Sequence, residues 1–476
     1  DEQYGPSHKT GSKLRWATTA GVKATSDAGE NFAVGTSGAL HLIKYNREVE
    51  QEGAIAHITS DYNTGYMLGD IKLATLSDTD TTNNPELITN GTFASGVTGW
   101  ATNGGSIAWN GSSDQTATVT SNGSSIWNGA TQTLTGLVVG QTYFLTADII
   151  TSSNWGSIGF SAGPGSGNRY GSYTSWNGGS TFPMKAKAQF TAAATSVTVT
   201  IDSLNTSNAT VTKVDNISVR IAAVDRSYNN NGLQTFGTVT KTAVATGAEL
   251  VGYSGFSHAA GGNYLRKPYH SGLDLGTGDF VFSIWCKLTA ASSQYDFLWE
   301  PQTADSGQRF YILRNISTGN LYLPYNTNIP NTFIPIGIWT KVDIVRRNNI
   351  ASQYINGKKA GINYASNHNL DASSSSGNYR YTHIGCYTEG SFAWNGSIAL
   401  ARISATAPTP EQIAKMYNDE KQLFATNAKA TLYGTSDAVT ALAHDDDTEL
   451  LHVGTSAGRS VFQGLNRVDN TTDAVG

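Results

Sequence analysis

The chain has 476 residues and a net charge of −5, with only 14% charged residues. Lys and Arg are scattered rather than clustered, which excludes the basic footprint of a nucleic-acid or anionic-membrane binder. No apolar run approaches the roughly 20 residues that a membrane helix needs. Gly, Ser, Thr and Asn crowd the spaces between short apolar runs, a composition that predicts an all-β protein of many strands and tight turns. The opening DEQYGPSHKTGSK lacks the apolar core of a secretory signal. Without an initiator methionine, and ending at Val475-Gly476, the chain reads as a piece of something longer.

The first segment, residues 1–83, alternates strands and small-residue turns, and VKATSDAGENFAVGTSGALHLI has a counterpart near the end in VTALAHDDDTELLHVGTSAGRSVF. The tetrapeptide VGTS recurs at Val34–Ser37 and Val453–Ser456. Both flanks, 1–83 and 422–476, resemble blades of a β-propeller, yet at roughly 40–45 residues per blade they supply about three, fewer than a closed ring needs. A shared liking of VGTS for strand ends is the competing explanation.

Residues 84–222 read as half-buried antiparallel strands closing a β-sandwich. Leu87–Phe93 followed by Gly99-Trp100, then Leu137–Tyr143 and Asp215–Val219, resemble the galactose-binding-like jelly-roll class of carbohydrate-binding modules. Trp155, Tyr170, Tyr173 and Trp176 lie in Gly- and Ser-rich sequence where flat rings could stack on a pyranose, with Asn168, Arg169 and Asn177 bonding its hydroxyls. Packing beneath a long loop is the equally weighted alternative. No cofactor is required; the resemblance allows a structural calcium ion with Asp215 and Glu86 as ligands, although Ala94 and Ser95 stand where an acidic ligand usually does.

A polar linker at 223–248 precedes a second sandwich at 249–421. Thr277–Trp285, Gly337–Lys358 and Phe392–Ile398 resemble the laminin-G branch of the concanavalin A-like lectins. The sandwich ends in a short helix near 410–421, opened by Thr409-Pro410 and turning Ile413, Met416 and Tyr417 to one side. Ala399 replaces the acidic residue of the family's usual calcium site, so recognition would rest on aromatic and amide groups such as Tyr295, Trp299, Tyr325 and Trp394, some of them core residues. Cys286 and Cys386 sit in apolar runs and read as buried thiols. No E-x-D-x-E strand exists, which argues against a retaining glycosidase, whose carboxylates stand about 5–5.5 Å apart.

Two jelly-roll sandwiches between propeller-like flanks resemble a bacteriophage tail fibre or spike. That resemblance implies a non-enzymatic protein on the virion tail or outside the cell, recognising a surface polysaccharide as a homo-oligomer, with a trimer in view, or beside other tail proteins. Neither nucleic acid nor membrane insertion is expected. A bacterial surface adhesin or fibre subunit is the alternative, and a polysaccharide-degrading enzyme a third.

Overall fold

The computed structural model describes residues 13–15, 23–25, 30–34, 40–44, 54–81, 86–177, 179–206, 209–227, 229, 231–257, 262–290, 295–303, 310–323, 327–373, 381–387, 392–445 and 447–472, with backbone alone up to 55 and at 327–328. The chain is all-β, as its composition predicts, and divides into an inserted unit, Asn84–Val224, and a host unit made of everything before and after it.

In the inserted unit, two five-stranded antiparallel sheets form a sandwich. One runs in the order Met184–Thr191, Thr142–Ser152, Val211–Ile221, Ala117–Ser121, Gly105–Trp109; the other, Arg169–Trp176, Gly156–Ser161, Ser196–Ser203, Gly129–Thr135, Ala101–Asn103. Strand Ser196–Ser203 shows how the sequence builds both faces. Val197, Val199 and Ile201 enter the core, whereas Thr198, Thr200 and Asp202, on the alternate positions, face outward.

The host unit holds a seven-stranded and an eight-stranded sheet. Strand Gly396–Ser404 is central to the latter: Phe280–Leu288 pairs along one edge, and on the other Val251–Ser254 and Ile71–Thr75 divide its length. A strand from the first flank therefore completes the second sandwich. The segment 223–248, expected as a linker, is also built into it: Gln234–Phe236 and Thr240–Ala243 are edge strands of the two sheets. The sandwiches are thus nested along the chain rather than arranged in tandem.

Asp225, the first host residue after the insertion, is buried and accepts bonds from the backbone N–H of Ala74 (2.8 Å), Ser227 (2.9 Å) and Asn231 (2.6 Å). Asn229 and Asn231 bond the carbonyls of Ile71 and Lys72. The returning segment thereby satisfies backbone groups of a strand that would otherwise present an open edge.

The flanks form two meanders in which strand order follows chain order: six strands from Lys13–Arg15 to Met67–Leu68, and four from Val439–Asp445 to Asn466–Thr471. The second VGTS ends strand Leu450–Thr455, while Gly35–Ser37 of the first lie outside the described residues. Neither flank stands apart from the sandwich. Ile58 and Tyr66 share one core with Leu250, Trp285, Met416, Leu432, Val453 and Phe462, and the buried Asn63 side chain donates to the carbonyls of Ala430 (2.9 Å) and Leu465 (3.0 Å).

The expected helix spans Pro410–Glu420 and begins with a reciprocal cap, Gln412 N donating to Thr409 Oγ1 and Thr409 N to Gln412 Oε1. Its last residue, Glu420, is fully buried. That carboxylate pairs with Arg402 and accepts bonds from Trp285 Nε1 (2.7 Å) and Tyr66 N (2.9 Å). Burial alone would push its carboxyl up, but Arg402 and then Lys341 hold it below the ordinary range. Cys286 and Cys386 are buried free thiols.

Truncating Glu420 to Ala leaves Arg402 buried without its partner and should cost about 3–5 kcal/mol. Thr409→Ala, at the cap of the same helix, should cost about 1 kcal/mol. Urea unfolding followed by tryptophan fluorescence measures both, and equal losses would contradict the ranking.

Candidate functional site

On the inserted unit, the outward side of the sheet beginning with Arg169–Trp176 carries buried polar groups, Ser157, Thr200 and Asp202, from two neighbouring strands. Arg169 reaches across them. Its guanidinium bonds Ser157 Oγ (3.0 Å), Thr200 Oγ1 and the Asp202 carboxylate. The same guanidinium lies 4.8 Å from the ring centroid of Trp127 and 5.8 Å from that of Tyr173.

Backbone details make room for these rings. Tyr173 stands opposite Gly159, where an added Cβ would come within 2.6 Å of the Tyr173 Cβ. Gly167 likewise approaches Trp127, with a built Cβ 2.8 Å from Nε1. Trp127 itself has φ of 69°, a left-handed conformation costly for an aromatic residue, and its N–H bonds Ser203 O at 2.8 Å. Leu204 N donates to Trp155 O, so Trp127 and Trp155 are anchored to consecutive residues at one strand end.

Of the expected residues here, Trp155, Tyr170 and Tyr173 are exposed by 53%, 44% and 46%. Tyr170 leans on core Phe190, with centroids 6.5 Å apart. Trp176 must be reassigned. It is buried at the core edge against Gly156, whose missing Cβ admits the indole. Asn177 accepts from Gly179 N through Oδ1 and closes its own turn. Trp127, not singled out in the sequence, joins Arg169 and Tyr173 because the fold brings 127 beside 169.

The host unit offers a second aromatic group. Tyr295, exposed, lies 6.2 Å from Tyr322 and 6.3 Å from Phe392, and Phe297 packs on Tyr387 at 4.8 Å. Trp299 and Trp394 do not belong to it, for both are fully buried. Trp299 stacks on Phe282 at 4.6 Å in the core, and a register shift between Phe297 and Trp299 accounts for their separate neighbours. Tyr325 lies outside the described residues.

Residues 259–414 match the concanavalin A-like lectin/glucanases superfamily. Among solved structures, the chain is similar to domain 4 of AbnA, an extracellular arabinanase from Geobacillus stearothermophilus, solved with arabinotriose: 17% identity, 41% of this chain, 92% of the other, TM-score 0.32. It is also similar to the tandem CBM22 domains of Xyn10C from Paenibacillus barcinonensis (13% identity, 68% and 98% covered, TM-score 0.23). A third similarity is to the receptor-binding domain of botulinum neurotoxin C/D mosaic serotype (13%, 51% and 59%, 0.31). Superpositions this loose define no common architecture for the whole chain. No curated protein matches the chain in sequence.

Asp296 pairs with Arg314 at 3.1 Å and Glu300 with His383 at 3.4 Å, from the two ends of one strand. In the inserted unit, Glu86 and Asp215 do not converge as a calcium site would require. Glu86 accepts from Ile88 N, Val219 N and Ser218 Oγ, with Arg220 at 3.4 Å, whereas Asp215 stands opposite Asp148 and beside Asn216. Among the described residues, no three His, Cys, Asp or Glu side chains gather where they could hold a metal ion.

Burial pushes the Asp202 carboxyl up to about 6, against the pull of Arg169. A folded value above the unfolded one means that, through this group, stability falls as pH rises from about 4 to about 6. Carboxyl carbon NMR should place its titration near 6, and Arg169→Leu, which removes the opposing guanidinium, should move the midpoint higher. A downward movement would contradict this account.

Proposed function

We propose that the chain is a non-catalytic carbohydrate-recognition protein whose inserted unit binds a polysaccharide through Trp127 and Tyr173. The supporting observation is the clamp itself: Arg169 lies close to both rings and is tied beneath them to Ser157, Thr200 and Asp202. Rings fixed in this way present apolar faces to sugar C–H groups with little ordering left to do on binding. The Arg169 charge is already met by Asp202, so the face at these rings suits a neutral glycan.

A catalytic reading has less support. The two strand carboxylates of the lectin domain, Asp296 and Glu300, each face a cationic or imidazole partner rather than one another. The wider setting we propose is a phage tail fibre or spike that touches a host-surface glycan, since meander flanks surround two sandwich units along one chain. Homo-oligomeric assembly belongs to this reading, because linked weak sites gain avidity.

Glycan-array and host-cell binding test the proposal. Tyr173→Ala and Trp127→Ala should each weaken binding at least about tenfold, equivalent to about 1.4 kcal/mol. Tyr295→Ala should leave that ligand's binding unchanged. Binding untouched by both inserted-unit substitutions would refute the site assignment, and turnover of a bound polysaccharide would refute the non-catalytic reading.

A further inference from the structure

Outside the lectin match, the host unit contains a cleft of about 390 Å³ that neither aromatic group uses. Five separate stretches of chain line it, contributing Ser60, then Thr79 and Thr81, Glu249, Thr431 and Tyr433, and Arg467. None of these residues lies within 259–414.

Its floor is neutralised from within. Arg467 pairs with Glu249 at 2.6 Å and also donates to Thr431 O. The second Glu249 oxygen takes bonds from Ala430 N (2.9 Å), Thr431 N (3.1 Å) and Thr431 Oγ1 (2.8 Å). A bound ion would have to compete with these internal pairs, so the cleft does not favour strongly charged ligands.

Its hydroxyls are arranged differently. Thr431 Oγ1 donates to Glu249 and Thr79 Oγ1 donates to Asp61 O (3.0 Å), which leaves both oxygens able to accept from a guest. The hydroxyls of Tyr433 and Thr81 have no hydrogen-bond partner among the described residues and can serve as donors or acceptors. Ala248 and Leu432 supply an apolar patch, and the Tyr433 ring lies 5.6 Å from the Arg467 guanidinium. Alternating acceptors, free hydroxyls and a small apolar surface complement a ligand that carries many hydroxyls and no charge. The volume lies within the range of about 300–1,000 Å³ usual for small-molecule sites.

We propose that this cleft is a binding site for a neutral sugar unit, separate from the face at Trp127 and Tyr173. Its rim residue Tyr433 makes the hydroxyl and ring contacts. The floor pair of Glu249 and Arg467 positions Thr431.

The test titrates the full chain with the methyl glycosides of glucose, galactose, mannose and N-acetylglucosamine, and with glycerol, using saturation-transfer NMR. At least one glycoside should bind saturably at millimolar concentration, and glycerol should not. Tyr433→Ala should weaken that binding at least about tenfold, Tyr433→Phe should weaken it less, and Tyr173→Ala should leave it unchanged. Thermal unfolding verifies that each variant is folded; if Tyr433→Ala is not, Tyr433→Phe still carries the comparison. Absence of saturable glycoside binding, or wild-type binding in the Tyr433 variants, overturns the proposal. Loss in Tyr173→Ala instead would assign the sugar to the inserted unit, overturning this site while supporting the other.

Discussion

The host unit depends on one buried carboxylate. Glu420, the last residue of the capped helix, meets Arg402 from the central strand Gly396–Ser404, Trp285 from its neighbour and the backbone of Tyr66 from the first flank. Arg402 then donates to Tyr66 O (2.6 Å) and to Ser283 Oγ (3.2 Å), and Ser283 accepts from Lys341, itself paired with Asp343. A buried ion pair adds little net stability over a well-packed apolar pair, but it tolerates few alternative arrangements once its partners are fixed. Here three segments distant in sequence must arrive together for the charges to be satisfied.

That requirement explains how the host unit survives interruption. Strand Ile71–Thr75 is separated from its partner Gly396–Ser404 by the whole inserted unit, and loop closure over so long a connection costs only logarithmically more than over a short one. The chain fixes both tethers locally. On return, Asp225 takes three backbone donors and Arg226 N bonds Ala74 O, while its guanidinium covers the Tyr62 ring at 3.8 Å. On departure, Asp78 receives Tyr253 Oη and Lys241 Nζ. Each tether is pinned on the host side by an aspartate, Asp225 buried and Asp78 partly exposed.

What was legible in the sequence was whatever depended on local pattern. Alternation set the strands, Thr409-Pro410 set the helix start, and motif order found the lectin segment. The return segment at 223–248 escaped because its strands are three and four residues long and sit at sheet edges, too short for alternation to show. Tryptophans were the least legible residues. Trp176 occupies a sequence context as polar as that of Trp155, whereas Trp299 and Trp394 follow Phe297-Leu298 and Phe392-Ala393, yet the burial of all three involves partners brought from elsewhere: Gly156 for Trp176, Phe282 for Trp299 and the backbone of Gly385 for Trp394. A glycine opposite a ring is the one local sign available. It marks burial at Gly156 and exposure at Gly159, so even that sign needs the register to be read.

The same contrast separates the two kinds of charge in the molecule. Arg402, Lys341 and Glu420 lie in the interior and serve the fold, whereas Arg169 and Arg467 lie under accessible surfaces and each leaves a neighbouring ring in reach of solvent. In both surface cases an acidic residue, Asp202 or Glu249, neutralises the guanidinium from the protein side. The cation is then spent on holding an aromatic side chain and its hydroxyl-bearing neighbours, not on attracting an anion. Under the proposed function, a surface built this way would select by shape and hydroxyl geometry, which is the selection that an uncharged polysaccharide can supply.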